Sequence, residues 1–323
     1  MPNLLISFVI PVFRNEGSIR LTCSKIEELF QSRLEAYDYE IVLVNDGSDD
    51  GSWAEILEIT AVNERIKALS FSRNFGQVPA MIAGARHAMG NAAVFMSADL
   101  QDPVELIEEM IEEWQNKKNE IVICYRTNRE DTLAAKVTSA IFYRFMKFAN
   151  PQMPKGGFDY VLLDQKPLHV FAALDERNRF FQGDVLWMGF STKFIPYKRL
   201  KRTVGKSKWN SSKKLKYFID GFINTSYIPI RFMSLIGISI AFIGFIYAVF
   251  VAYARFINNV PFRGYAPIVI LLLIIGGLIM IMLGIIGEYL WRVYDETRKR
   301  PVYIIQSKVN LDNSNENKLH TEK

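Results

Sequence analysis

Apolar and polar positions follow two rhythms in the first half of the chain. Short, nearly unbroken apolar runs occur at residues 5–10, 39–44, 66–71, 92–96 and 120–124. Runs of that length bounded by polar turns read as strands buried on both faces. Between them, residues 18–30, 52–62, 78–89 and 104–114 carry apolar positions at helical spacing. Regular alternation of strand and helix predicts an α/β fold, a doubly wound and mostly parallel Rossmann-like sheet. The first run, LLISFVIPV, lacks a basic flank and meets Pro11, so it reads as a strand and not as a signal peptide.

The second half changes character. Residues 232–254 form an uncharged run of 23, about 35 Å as a helix, which is enough to cross a bilayer. A second uncharged run, 266–287, ends at Glu288, and the short link between the two holds only Arg255 and Arg263. Basic residues gather before the first run and after the second (Arg292, Arg298, Lys299, Arg300). By the positive-inside rule, both termini and the first domain are cytoplasmic. Residues 213–227 alternate at helical spacing, which suits a helix lying in the membrane interface. The expected organisation is a cytoplasmic domain over 1–211, an interfacial helix over 212–229, two transmembrane helices over 230–291 and a cytoplasmic tail over 292–323. The last dozen residues are polar and read as disordered. Gly276, Gly277, Gly284 and Gly287 allow close helix approach within or between subunits, which suits a homo-oligomer.

Composition narrows the chemistry. The chain has 323 residues and a formal net charge of +5. Cys23 and Cys124 fall in a helix-like and a strand-like segment and read as reduced, buried thiols. His87, His169 and His320 are far apart in sequence, which argues against a zinc site. From Lys193 to Lys216 there are ten Lys or Arg and no Asp or Glu. A basic run this close to a membrane span is assigned to anionic lipid headgroups, at roughly 1 kcal/mol per charge. No nucleic-acid partner is expected.

The candidate chemistry sits where apolar runs end. The run 92–96 passes into SADLQDP, which places Asp99, Gln101 and Asp102 just beyond a strand's carboxyl end, where open α/β sheets bind ligands. Hard oxygen donors there suit Mg²⁺ or Mn²⁺ held against phosphates. Read alone, Asp99 is equally a loop acid and Asp102 a helix N-cap. The second strand ends in VNDGSDDGS, where Asp46 either meets a base or ribose or merely closes a turn. The third is followed by SFSRNFGQ, with Arg73 and Asn74 facing the same crevice. The first strand leads into PVFRNEGS and lacks G-x-G-x-x-G, which weakens a dinucleotide oxidoreductase reading.

Taken in order, IPVFRNE, VNDGSDDGS, FSRNFGQ and ADLQDP resemble family 2 glycosyltransferases of the glycosyltransferase-A fold. More narrowly, the chain resembles the polyprenyl-phosphate glycosyltransferases, a group that includes bactoprenol glucosyltransferases and dolichol-phosphate-mannose synthases. The resemblance implies that Pro11, Val12, Phe13, Glu16, Asp46 and Ala98 hold the nucleotide. It implies that Asp99 and Gln101 hold a divalent metal and the diphosphate. The family's D-x-D has Ser97 at its first position here. The site is therefore one carboxylate poorer, with either weaker metal binding or more coordination from the diphosphate.

Further along, YRTNRED carries Arg126 and Arg129, and guanidinium groups suit bidentate phosphate recognition. The resemblance puts Arg126 near the diphosphates and the acceptor phosphate. Residues 133–148 are amphipathic, with Lys136 among their cations, and fit a membrane surface or an ordinary surface helix equally. In GGFDYVLLD, Asp159 matches the aspartate assigned near the acceptor phosphate, and a local salt bridge is the plainer alternative. A lipid phosphate is largely ionised at neutral pH, its second pKa being about 6, so Asp159 is expected to orient more than to deprotonate. RNRFFQGDVLWMGF offers Arg179 and Asp184 to a lipid headgroup, or to core packing. RTVGKSKW matches a mobile loop in which Arg202, Lys206 and Ser207 neutralise a departing nucleoside diphosphate.

The expected activity is inverting transfer of a hexose or N-acetylhexosamine from a UDP-sugar to undecaprenyl phosphate at a bacterial inner membrane. A flippase and a downstream glycosyltransferase are the expected functional partners. A processive polysaccharide synthase is the nearest rival, but it would carry more spans and a Q-x-x-R-W motif that this chain lacks. A membrane-anchored sugar-nucleotide sensor without turnover is the alternative that Ser97 encourages.

Overall fold

Every residue of the run 92–96 is buried because its two faces meet two different sets of helices. Ala92, Val94 and Met96 join one core cluster and Ala93 and Phe95 join another, as the period-2 geometry of a strand requires. The computed structural model describes residues 3–128, 151–154, 157–177, 179–199, 228–256 and 265–311. The chain divides into two compact units, Met1–Phe222 with Pro301–Lys323, and Ile223–Arg300.

The first unit is built on an eight-stranded sheet. Its strands are β1 (Leu4–Val12), β2 (Tyr37–Asn45), β3 (Ile66–Phe71), β4 (Ala92–Phe95), β5 (Ile121–Asn128), β6 (Tyr160–Asp164), β7 (Thr192–Lys198) and β8 (Ile305–Val309). Their spatial order is β7-β5-β6-β4-β1-β2-β3-β8. The helices are α1 (Ile19–Ser32), α2 (Ser52–Val62), α3 (Gln77–His87), α4 (Leu106–Gln115), α5 (Gln165–Ala173) and α6 (Phe181–Trp187). Strands β1 to β4 are mutually parallel, and β7 runs parallel to β5. The mostly parallel, Rossmann-like sheet expected of the glycosyltransferase-A fold is present. Only β6, between β4 and β5, and β8, beside β3, run against their neighbours.

Packing explains the strand content. Phe8 and Ile10 of β1 are fully buried, with Phe8 set edge-on to Phe30 of α1 at 5.6 Å. Truncating a buried Phe of this kind costs about 3–5 kcal/mol. On the other face Phe95 packs against Phe171 and Phe181 at 5.5 and 5.6 Å. Cys23 and Cys124 are buried free thiols, and burial raises both pKa values, Cys23 to about 12.

Within the region expected as a tail, β8 instead completes the sheet. It pairs with β3 from Ala68↔Val309 to Phe71↔Ile305, and the Ser72 N–H donates to the Ile304 carbonyl at 3.1 Å. The Tyr303 ring stacks on Phe71 at 5.0 Å. Asn310 Nδ2 donates to the carbonyls of Thr60 and Ile66, both at 2.9 Å. The last dozen residues lie outside the described residues.

The second unit contains two helices, α7 (Ile228–Phe256) and α8 (Tyr265–Thr297). Among the described residues, one segment is long and apolar enough to cross a membrane, Ile274–Thr297, and the apolar stretch Leu235–Tyr247 of α7 is shorter. Two transmembrane helices are therefore more than these residues establish.

Candidate active site

In a parallel sheet the carboxyl ends of the strands share one rim, and the loops that leave it converge. Here the loops after β1, β2 and β3 interlock through main-chain groups. The Asp46 N–H donates to the Val12 carbonyl at 2.8 Å, and the Arg14 and Asn15 N–H groups donate to Ser48 Oγ and Ser52 Oγ at 3.0 and 2.9 Å. Gly47 has a φ of 63°, and a Cβ there would lie 2.3 Å from the Arg73 carbonyl carbon. Only glycine allows that turn and that contact together.

Pro11 and Val12 end β1 at this rim and Phe13 follows, its N–H donating to Asn15 Oδ1 at 3.0 Å. Glu16 turns toward the loop after β2, accepting from the Gly51 N–H at 3.0 Å. Asp46 is buried, and its carboxylate faces the loop after β3. Oδ1 accepts from the Phe75 N–H at 2.6 Å and Oδ2 from the Gly76 N–H at 2.9 Å. Burial raises the Asp46 pKa to about 6, with the two N–H groups and Arg73 opposing the shift. Asp46, expected to meet a base or ribose, grips residues 75 and 76 of the loop after β3 through both carboxylate oxygens.

The other half of the rim is a chain of side chains. Ser97 Oγ lies 2.7 Å from Asp99 Oδ1 and 2.7 Å from Asp102 Oδ2. Asp99 and Asp102 are 4% and 1% exposed, so a single hydroxyl proton is shared between two buried carboxylates. The Gln101 N–H donates to Asp99 Oδ1 at 3.2 Å, and the Ala98 carbonyl accepts from Thr22 Oγ1 at 3.2 Å. Asp102 is not a simple helix cap, because its Oδ1 accepts from Tyr197 Oη on β7 at 2.6 Å. Arg126, at the end of β5, pairs with Asp159, the residue before β6, at 2.6 Å. Burial opposes the charge on Arg126, but Asp159, Tyr197 and Asp102 outweigh it and raise its pKa. Gln182 Nε2 donates to the Phe158 carbonyl at 2.7 Å and reaches Asp159 Oδ1 at 3.4 Å.

Arg179 is elsewhere. Its side chain is 1% exposed, bonded to Asp184 at 2.7 Å and to the Phe171 carbonyl at 3.1 Å, with its guanidinium 4.3 Å from the Phe171 ring centroid. The expectation that it binds the acceptor phosphate is corrected, since a guanidinium held in the core by these partners serves packing. Burial lowers its pKa and raises that of Asp184 to about 6. Lys136, Arg202, Lys206 and Ser207 lie outside the described residues, as does residue 129.

The donor set fits a divalent cation in one respect and limits it in another. Asp99, Asp102 and the Ser97 hydroxyl between them are hard oxygen donors, the kind that Mg²⁺ or Mn²⁺ takes. Yet no cluster of three or more His, Cys, Asp or Glu that could hold a metal occurs among the described residues. The described residues thus offer a small carboxylate set, and Mg²⁺ commonly completes its shell with phosphate oxygens and waters.

Sequence reasoning missed Tyr197 and the true partners of Asp102. The only signal was a tyrosine within the first part of the basic run, near the end of β7.

Comparison with known proteins places the whole chain in a family. Residues 7–168 match glycosyl transferase family 2. Over 309 residues the chain is 37% identical to the uncharacterized glycosyltransferase YkcC of Bacillus subtilis, covering 95% of each chain. It is 35% identical over 303 residues to the prophage bactoprenol glucosyl transferase homolog of Escherichia coli, covering 93% of this chain and 98% of that one. It is 34% identical over 305 residues to the bactoprenol glucosyl transferase of Shigella phage SfX, covering 94% and 99%. The chain belongs to glycosyl transferase family 2. It is a glycosyltransferase.

Proposed function

We propose that the protein transfers a hexose or N-acetylhexosamine from a UDP-sugar to a polyprenyl phosphate, with inversion, at the cytoplasmic face of a bacterial membrane. The observation that carries this is one rim bearing both Asp99 and the Arg126–Asp159 pair, in a chain similar over nearly its full length to bactoprenol glucosyl transferases. UDP as the nucleotide follows the family resemblance.

In this reading the loops after β1 to β3 seat the nucleotide, and Asp46 acts by fixing residues 75 and 76. Asp99 and Gln101 hold Mg²⁺ or Mn²⁺, which when bound offsets charge on the diphosphate. Arg126 binds phosphate oxygens, and Asp159 aims its guanidinium. An oxygen of the acceptor phosphate attacks the anomeric carbon opposite the departing UDP. One C–O bond forms and one breaks, and no proton has to move because the acceptor is already ionised. Asp159 is therefore an orienting group. Arg202, Lys206 and Ser207 of the basic run stabilise the departing diphosphate.

Connectivity supports the membrane arrangement. The chain ends β7 and returns to the same sheet as β8, so residues 223–300 begin and finish at one domain. Any crossings they make come in an even number, which favours two spans with both termini cytoplasmic. A lipid-linked sugar made there has to be translocated and used by a second transferase. Self-association of the helices is part of the same proposal.

The test incubates purified full-length protein with a panel of radiolabelled nucleotide sugars, Mn²⁺ and short-chain polyprenyl phosphate. Organic-extractable label from a UDP-sugar is the expected result. Nucleotide binding without any lipid product would favour a sensor, and label in a growing polymer would favour a processive synthase.

A further inference from the structure

The hydroxyl of Tyr197 and the carboxylate of Asp102 join two parts of the rim that are far apart in sequence. Tyr197 is 5% exposed and its ring sits edge-on to Tyr160 at 6.2 Å, so the hydroxyl has little freedom. That hydroxyl donates to Asp102 Oδ1 at 2.6 Å. Asp102 Oδ2 meets Ser97 Oγ at 2.7 Å, and Ser97 meets Asp99 Oδ1 at 2.7 Å. On its other side Tyr197 is the register partner of Arg126 across the β5–β7 ladder, and the charges of Asp102 and Arg126 both act on it. Arg126 in turn pairs with Asp159. Tyr160 adds a second tie, its hydroxyl donating to the Pro103 carbonyl at 3.2 Å. Hydrogen bonds thus run Asp99, Ser97, Asp102, Tyr197, and the β5–β7 ladder sets Tyr197 beside Arg126, which pairs with Asp159.

We propose that Asp102 and Tyr197 are a positioning pair. They set Asp99 at the donor diphosphate and Arg126 at the acceptor phosphate in one fixed relation, without touching either substrate. The inference rests on the proposed function for its substrates, but the contacts it depends on do not. Arg199 strengthens the placement. Its Nε is buried without a hydrogen-bond partner and lies 4.0 Å from Asp102 Oδ1, so one cation of the basic run stands beside the same carboxylate.

The pair makes a prediction that a direct metal ligand would not. In Asp102→Asn, amide oxygen Oδ1 still accepts from Tyr197, while Nδ2 donates to Ser97 and leaves the serine proton wholly to Asp99. The hydrogen-bond sequence survives and the charge does not. In Asp102→Ala the sequence is cut. In Tyr197→Phe it is cut at one bond while the ring stays.

Full-length protein in detergent is measured in two ways: the Mn²⁺ concentration that half-saturates UDP binding, and kcat and KM with UDP-sugar and short-chain polyprenyl phosphate. Thermal unfolding checks the fold. Tyr197→Phe is expected to lose about tenfold in kcat with donor KM changed by less than about twofold. Asp102→Ala is expected to raise half-saturating Mn²⁺ and to lower kcat, each about tenfold, and Asp102→Asn to recover most of that kcat. Wild-type kcat in Tyr197→Phe, or an Asn variant as impaired as the Ala variant, overturns the pair. If wild type binds Mn²⁺ and UDP but forms no lipid product, the proposed function falls. The pair is then decided by Mn²⁺ half-saturation alone, where equal values in wild type and Asp102→Ala overturn it.

Discussion

On the β1–β3 side of the rim, the buried Asp46 is held by the main-chain N–H groups of residues 75 and 76, and Glu16 by that of Gly51. On the β4–β7 side carboxylates are held by side chains that are themselves charged or hydroxylic, as Asp102 is by Ser97 and Tyr197 and Asp159 by Arg126. The first kind of support is set once the backbone folds. The second depends on a balance of charges and protons that a bound cation or phosphate would change. In the proposed function, the nucleotide would enter a pocket preformed the first way, and the phosphate-transfer half would be tuned by what enters it.

Four changes test that contrast, beginning with the largest effect. Asp99→Ala is expected to lower kcat by about a hundredfold or more, since it removes a buried carboxylate from a site with few others. Initial rates at saturating UDP-sugar and Mn²⁺ check this, and near-wild-type turnover would remove Asp99 from the site. Ser97→Asp comes next. Both neighbouring carboxylates lie 2.7 Å from the serine oxygen, so a third one meets repulsion from two sides. The variant should unfold at lower temperature in EDTA and regain stability with Mn²⁺, with half-saturating Mn²⁺ below the wild-type value. Equal unfolding temperatures in EDTA would mean the new carboxylate points away.

Asp46 brings a pH dependence. Its folded pKa, about 6, lies above the ordinary 3.8, so the folded chain binds more protons between these values. Its contribution to stability is full below the lower value and is lost as pH rises through the upper one. Asp184, also raised to about 6, acts in the same direction. Asp46→Asn should therefore flatten part of the fall in stability between pH ~4 and ~6. It should raise donor KM several-fold, on the order of one lost hydrogen bond, with kcat little changed. Urea unfolding across that range and a Michaelis series at pH 7 provide the readings. An unchanged pH slope would place the proton uptake elsewhere.

The smallest effect on activity belongs to the opposite rim. There Lys67 pairs at 2.6 Å with Glu40, which is buried and also accepts from Ser7 and the Met89 N–H. Lys67→Met should cost about 1–3 kcal/mol of stability and leave kcat and KM unchanged. A change in kcat would show that the two rims are coupled through the strands.

The sequence revealed the first half of the rim better than the second, for the same physical reason. The run 66–71 matches β3 at both ends because polar residues close it on either side. The small-residue turns after β1 and β2 are local, so their role shows in a few adjacent letters. β7 was hidden by Pro196 and by the lysines at 193 and 198 within TKFIPYK. Asp102 looked like a helix cap because its real partner, Tyr197, is 95 residues away. Arg179 looked like a phosphate ligand because sequence shows the charge and not its burial. β8 reads IQSKV, five residues with apolar positions only at its ends, too little to stand out behind an apolar helix.

That last strand has a consequence for synthesis. Asn310 bonds to Thr60 across 250 residues of chain, and β3 lies at the sheet's edge until β8 arrives. While the ribosome is still making α7 and α8, the backbone groups of residues 68–71 have no partner on that side. An open edge of this kind is a template for pairing with other chains. The domain translated first is thus closed last, after the helical segment has emerged. A message truncated within α8 would yield a sheet with a permanently unprotected strand.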